Sequence, residues 1–287
     1  MAELAIYDVS DGVGTLTLNR PDAMNALTLE MGAQIEAALT EAEADPAVGC
    51  LVITGAGKAF CAGDDVNEAW EGDNLEKGLA PLKRAIPRTT PETTRLLEFE
   101  KPLIAAVNGI AVGVGMDLTL VADVRLANTY AKFGAFYVNF NLIADFASMR
   151  RLPQLVGPSK AAELLFTGDL IDAAEAEKIG LVSRVVDAAD LLGEAQELAA
   201  RIATKPPAAL RYMKAGLAKG THMTYADLAA LGEFISRTLV NLFETEDHAE
   251  AVAAFTEGRE AFFHRPVTHL TAPVRPPAHQ VRRRHDP

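Results

Sequence analysis

A chain of 287 residues, 49% hydrophobic and 23% charged, suits one large domain, or one domain with a smaller appendage, around a sizeable core. Its formal charge of −12 argues against general nucleic-acid binding, which needs a basic surface to neutralise phosphates. Two cysteines, Cys50 and Cys61, give no disulfide framework, the six histidines are too scattered to suggest a metal site, and no apolar run is long enough for a membrane span. The expectation is a soluble metabolic protein in a reducing compartment, the cytoplasm, with no basic-then-apolar leader at its start.

In chain order, Leu4–Val9 and Val13–Leu18 read as strands joined across Ser10-Asp11-Gly12, a hairpin. Asn25 to Asp45 reads as a helix whose positions Met31, Ile35, Ala38, Leu39 and Ala42 repeat at helical spacing, closed by Asp45-Pro46. The strand Cys50–Thr54 follows. Residues 71–96, with two glycines and three prolines among mixed charges, show no sustained period, which fits a surface loop or a wall of a substrate pocket. Pro102–Val107 and Val121–Ala127 are further strand-like runs on either side of a short helix starting around Gly115. Strands alternating with helices predict an α/β fold with parallel or mixed pairing. Beyond Pro158 the pattern is mostly helical: Lys160–Phe166, Ala173–Ile179, a strand-like Leu181–Val186 and a helix over 188–203. After Pro206-Pro207 come periodic helices at Ala208–Leu217, Tyr225–Leu242 and Asp247–Ala261. The tail from Pro266 has no period and reads as disordered or docked on a partner, with Arg282-Arg283-Arg284 as a solvated terminus.

Two Gly-rich segments follow strand-like runs. They are Ala59-Phe60-Cys61-Ala62-Gly63-Asp64-Asp65-Val66 and Asn108-Gly109-Ile110-Ala111-Val112-Gly113-Val114-Gly115-Met116-Asp117. Glycines there let backbone approach a ligand, and the helix start at the second adds its positive dipole end. By itself, Gly113-x-Gly115 is equally an ordinary strand-to-helix turn. In order and spacing, however, these two segments, preceded by Leu18-Asn19-Arg20-Pro21-Asp22-Ala23-Met24-Asn25-Ala26-Leu27 and followed by Ala162-Glu163-Leu164-Leu165, Thr167-Gly168 and Gly180-Leu181-Val182, closely resemble the successive signatures of the enoyl-CoA hydratase/isomerase (crotonase) family over about residues 5–263.

The resemblance implies a crotonase-like spiral of repeated ββα units at residues 1–203, a C-terminal helical region at 204–265 that builds a homotrimer or homohexamer, and a disordered tail at 266–287. It implies an acyl-CoA substrate, with coenzyme A as part of that substrate and no prosthetic group. Thioester chemistry of this kind passes through an enolate on the thioester oxygen, for which two aimed N–H donors are the central requirement. The matched donors are the backbone N–H groups of Asp64 and Val114. Ala62 and Ala23-Met24 match positions that hold CoA through backbone contacts, and Phe255 matches a phenylalanine packed against it. Gly258 replaces the usual lysine near the 3′-phosphate, leaving Arg259 as the substitute.

Acid and base groups depart from the hydratase pattern of two glutamates, because Asp117 stands at the first position and Tyr137 at the second. Asp117 keeps a carboxylate on a stem one methylene shorter, so water or a shifted substrate must fill the gap; the other reading is a helix-start carboxylate favoured by the dipole. Tyr137, with a reference pKa of about 10, is a poor base at neutral pH but a usable donor or acid, and equally a packed core tyrosine. Asp145 falls where dienoyl-CoA isomerases of the family carry a catalytic aspartate and aroyl-CoA dehalogenases a nucleophile, or it caps a helix starting near Phe146. Asp65 is expected to cap the helix that follows it. The leading expectation is an acyl-CoA lyase or isomerase with Asp117 and Asp145 as the proton-transfer pair. Hydrolytic or dehalogenase-like chemistry at Asp145, or acyl-CoA binding without turnover, are the alternatives.

Overall fold

The computed structural model describes residues 2–66, 91–221 and 227–263. Strands β1 (Ala5–Ser10) and β2 (Val13–Leu18) pair antiparallel across the Asp11–Gly12 turn, as the alternating residues predict. Helix α1 covers Leu29–Ala44. Three strand pairs follow: β3 (Cys50–Gly55) with β4 (Ala59–Cys61), β5 (Leu103–Val107) with β6 (Ile110–Val112), and β7 (Val124–Asn128) with β8 (Lys132–Gly134). The first strand of each pair enters a six-stranded sheet, β1-β2-β3-β5-β7-β10, and the second a four-stranded sheet, β4-β6-β8-β9, where β9 is Ile171–Asp172 and β10 is Arg184–Val186. All pairings are parallel except β1 with β2 and β8 with β9. Helix α2 (Pro91–Glu98) precedes β5, and α3 (Val114–Leu120) follows β6. Each ββα unit therefore advances both sheets by one strand, which is a spiral.

The period of two along the parallel strands divides the core. Leu51, Ile53, Leu103, Ala105 and Val107 face the larger cluster with α1, whereas Cys50, Val52, Ile104 and Ala106 face Leu191, Ala195 and Ala199 of helix α8 (Leu191–Ala203). Both faces of the sheet are covered, so the strands read as unbroken apolar runs. Between β8 and α8 lie α4 (Phe146–Arg150), α5 (Leu152–Val156), α6 (Pro158–Thr167) and α7 (Ala173–Lys178). Helices α9 (Pro207–Gly220), α10 (Leu228–Phe243) and α11 (Glu246–Glu257) close the described chain. Lys214 ties α9 to the core, donating to the Lys101 carbonyl at 2.8 Å and pairing with Asp123 at 2.9 Å.

Several boundaries differ from the sequence expectation for local reasons. The first helix begins at Leu29 rather than Asn25, because Thr28 accepts from the Met31 N–H as its cap. Asn25 stands outside it with φ of 56°, a left-handed conformation that asparagine tolerates. Val121 ends α3, so the strand expected from Val121 starts at Val124. The run at Leu181 pairs only from Arg184, and the last helix stops at Glu257, where Gly258 takes a left-handed cap at φ of 69°. Within the aperiodic stretch 71–96, residues 71–90 lie outside the described residues and 91–98 are helical. Residues 222–226 at the expected start of α10 and the tail beyond 263 also lie outside them.

Asparagines tie the corners where the chain leaves one sheet for the other. Buried Asn25 donates to the Ala56 and Ala59 carbonyls at 2.9 and 2.8 Å and accepts from the Arg20 N–H at 2.8 Å. Asn108 accepts from the Gly55 N–H at 3.0 Å and donates to Gly57 and Ala59, and Asn128 donates to the Asn108 carbonyl at 2.8 Å. An irregular corner has no ladder partners of its own, so side-chain amides supply them. Asn25→Ala removes the side chain that pairs with the Arg20 N–H and the Ala56 carbonyl and puts alanine in a left-handed conformation. A loss of about 2–4 kcal/mol is expected in urea unfolding, and a loss below about 1 kcal/mol would remove this corner role.

Candidate active site

The site is built first from backbone. Residues 24–27 run beside 62–65: the Ala62 N–H donates to Met24 O at 3.0 Å, the Leu27 N–H to Gly63 O at 2.8 Å and the Asp65 N–H to Leu27 O at 2.8 Å. On the other side, Gly63 faces the start of α3. A methyl group at Gly63 would lie 3.1 Å from the Val112 carbonyl oxygen and 3.9 Å from the Val114 nitrogen, and one at Gly115 would lie 2.1 Å from the carbonyl oxygen of Cys61. Only glycine at 115 permits that approach. Gly113, at φ of 55° and ψ of −129°, turns the chain from β6 into the helix, and its carbonyl accepts from Met116 and Asp117. Val114 is the first residue of α3, so its N–H has no carbonyl of the helix in front of it. Asp64 and Val114 are thereby drawn together from two segments fifty residues apart in sequence.

One turn into α3 lies Asp117, 0% exposed. Its Oδ1 accepts from Ser148 Oγ at 2.6 Å, and its Oδ2 accepts from the Tyr137 hydroxyl. Burial pushes the Asp117 carboxyl up to about 7; the Ser148 and Tyr137 hydrogen bonds pull it down, and the charge of Asp145 adds to the rise. Tyr137 is half-buried, on a 3-10 turn over Phe136–Phe140. Burial first, then the charge of Asp117 and the hydrogen bond to it, with smaller contributions from Asp145 and Asp64, hold its hydroxyl well above the usual range. The phenol keeps its proton and donates it. Three carboxylates thus share one electrostatic neighbourhood around the Tyr137 phenol. At the far end of α3, Arg125 donates to the Ala122 carbonyl at 2.6 Å and Arg151 to that of Leu120 at 3.3 Å, cations where the helix dipole favours them.

Asp145 sits immediately before α4, its carbonyl accepting from the Met149 N–H at 3.0 Å, while its charge acts on both Asp117 and Tyr137. Asp65 pairs with Arg20 at 3.0 Å, and the helix expected after it runs into undescribed residues. Met24 and Ala62 come together at the start of the 24–27 strip, with Ala23 on the turn just before it. Phe255 and Arg259 do not join them. Phe255 is 89% exposed on α11, and Arg259 pairs with Glu250 and Glu257. The residues after it, 260–263, border a cavity with Asp11, Gly12, Pro46 and Ala47, where the strands of the six-stranded sheet begin, not where they lead into the site. Ser148 was not expected from the sequence, since it lies 31 residues from Asp117 and only packing of α4 on α3 brings them together.

Comparison with known proteins identifies the family. A family model described as enoyl-CoA hydratase/isomerase matches residues 8–266. The crotonyl-CoA hydratase of Syntrophomonas wolfei is 40% identical over 263 residues, covering 91% of this chain and 98% of that one. The 1,2-epoxyphenylacetyl-CoA isomerase of Escherichia coli is 35% identical, covering 92% and 99%. Among solved structures, an enoyl-CoA hydratase from Bacillus anthracis superposes with a TM-score of 0.83 at 29% identity, covering 92% of this chain and all of that one.

The raised Asp117 carboxyl has a consequence for stability. Unfolded, it ionises near 4, whereas folded it holds its proton to about 7, so between those values the folded state binds more protons. Its contribution is full below about pH 4 and is lost as pH rises through 7. The stability of wild type minus that of Asp117→Asn is expected to fall by up to roughly 4 kcal/mol from pH 4 to pH 7 in urea titrations. A difference that does not change with pH would show that Asp117 ionises at its ordinary value.

Proposed function

Since the chain belongs to the enoyl-CoA hydratase/isomerase family and is an acyl-CoA-transforming enzyme of that class, we propose that it moves a proton on the acyl chain through a thioester enolate held by the N–H groups of Asp64 and Val114. The observation that carries this reading is the docking of Gly63 against Gly113 and of Cys61 against Gly115, which sets those two segments side by side. Oriented N–H groups at a helix start stabilise charge that develops on the thioester oxygen. Asp117 and Asp145, with Tyr137, form the proton-handling group beside them. Ala62, Ala23 and Met24 supply backbone along which the CoA chain lies. Donors, acid and base all come from the chain, so this chemistry needs no prosthetic group.

The test is incubation with straight-chain, branched, dienoyl and aromatic CoA thioesters in deuterated water, read by mass spectrometry. Isomerisation, α-exchange or addition of water supports the enolate reading. CoA release with a covalent acyl-enzyme would move the chemistry to Asp145 as nucleophile, and silence on the whole panel would leave a binding protein. Val114→Pro is the sharper probe. As the first residue of α3, position 114 accepts proline without loss of an intrahelical bond, so the fold stands while one donor disappears. Turnover is expected to fall about 10²-fold or more, and near wild-type activity in the folded variant would remove the Val114 assignment.

We assign residues 1–203 to the spiral and 204–265 to an oligomerisation region that forms a homotrimer or a pair of trimers. In α10 only Thr238 is buried among the described residues, and Ile235, Leu239, Val240 and Phe243 face outward. An apolar face of that extent favours cover by protein. Phe255 and Arg259 reach CoA only if a neighbouring copy offers them. No helix among the described residues is long and apolar enough to cross a membrane; Cys50 and Cys61 are buried thiols, which suits a reducing compartment such as the cytoplasm. Light scattering at micromolar concentration is expected to give at least three times the 30.6 kDa chain mass; a monomer would contradict the assembly.

A further inference from the structure

Resting on the enolate reading above, we propose that Tyr137 is the group that exchanges the proton with the acyl chain, that Asp117 stores that proton behind it, and that Ser148 is a positioning residue acting through Asp117. Asp117 has no exposed surface, and each of its oxygens is occupied, one by Ser148 Oγ and one by the Tyr137 hydroxyl. With the side chain wholly buried, an acyl carbon can meet either oxygen only if the groups that cover it move aside. Tyr137 is only half-buried, on an irregular turn whose next residues, Val138 and Phe140, are exposed. The two departures from a two-glutamate site therefore compensate each other. The short stem of Asp117 withdraws the carboxylate, and the phenol at the second position fills the space that opens.

Proton transfer then runs in two linked hops. In one direction the acyl C–H bond breaks, its proton bonds to Tyr137 Oη, and the phenolic proton passes to Asp117 Oδ2. The electron pair of the broken bond moves to the thioester oxygen between the Asp64 and Val114 N–H groups. Running the hops backwards at a second carbon returns the proton from Asp117 through Tyr137 and collapses the enolate. No phenolate accumulates, in keeping with a hydroxyl whose proton is held far more tightly than usual. Asp117, pushed up by burial to about 7, is matched to receiving and returning one proton near neutral pH. Ser148 holds the other carboxylate oxygen and favours the charged form, against the burial and the neighbouring charge of Asp145 that oppose it.

A double-mutant cycle on exchange and turnover of the active thioesters tests the relay. Tyr137→Phe and Asp117→Asn are each expected to lower kcat about 10²-fold or more, and the double variant to fall no further than the worse single one, because groups acting in series do not add. Thermal melting and CoA-thioester binding establish that each variant is folded. Ser148→Ala is expected to shift the acid limb of the kcat profile to higher pH while changing KM less than threefold. Wild-type exchange with Tyr137→Phe within tenfold of it, or losses that multiply in the double variant, would overturn the relay and leave the enolate reading intact. A wild type that neither exchanges nor turns over any thioester would overturn both. An unmoved acid limb in Ser148→Ala would remove its role.

Discussion

The carbonyl of Cys61 lies so close to Gly115 that a side chain there would start 2.1 Å from its oxygen. That backbone approach locks the segment after β4 against the first turn of α3. Gly63 against Val112, and the turned backbone of Gly113, follow from the same contact. The N–H groups of Asp64 and Val114, proposed as the donors, belong to the main chain, and an aspartate and a valine can stand there without altering where those groups sit. The corner asparagines serve the same end. They let the chain pass from the six-stranded to the four-stranded sheet without losing backbone partners, and so deliver both segments to one place.

Everything electrostatic about the site then turns on one short helix. Its first N–H groups face Gly63, its first turn carries Asp117 into the interior, and its last carbonyls meet Arg125 and Arg151. Arg125 is itself buried, pushed down to about 10 by loss of water, and carbonyls supply what water would. Cations at its C-terminal end complement the dipole, whose positive end is its own first N–H groups, along a helix too short to be stable alone. Tertiary packing sustains it, since every residue from Val114 to Leu120 is buried.

The helices after Pro206 obey a different constraint. α9 is fastened to the core by Lys214, which reaches a backbone carbonyl and a carboxylate, and by Arg211, which pairs with Glu100, while α10 packs on α9 and α11 and leaves an apolar face outward. A spiral whose sheets are already covered on both sides has no further use for that face. Its chemistry suits a second copy, which would also explain why Phe255 and Arg259 stand away from the site of their own chain.

How much of this the sequence determined depends on how local each feature is. Strand runs, the hairpin, the apolar positions of α1 and the glycines at 63, 113 and 115 were legible, because periodicity and turn chemistry act over a few residues, and the family resemblance ordered them. Helix and strand ends were less so: Thr28 rather than Asn25 opens α1, since Asn25 is drawn into bonds with Arg20, Ala56 and Ala59 that no local pattern announces. Asp117, Tyr137 and Asp145 could be named from motif positions, but not their relation. That a phenol covers a wholly buried carboxylate, that Ser148 holds its other oxygen, and that Asp145 acts on both were decided only when α3, the turn at Phe136–Phe140 and α4 packed together. Proton affinity is set by burial and by neighbours distant in the chain, so tertiary structure alone fixes it.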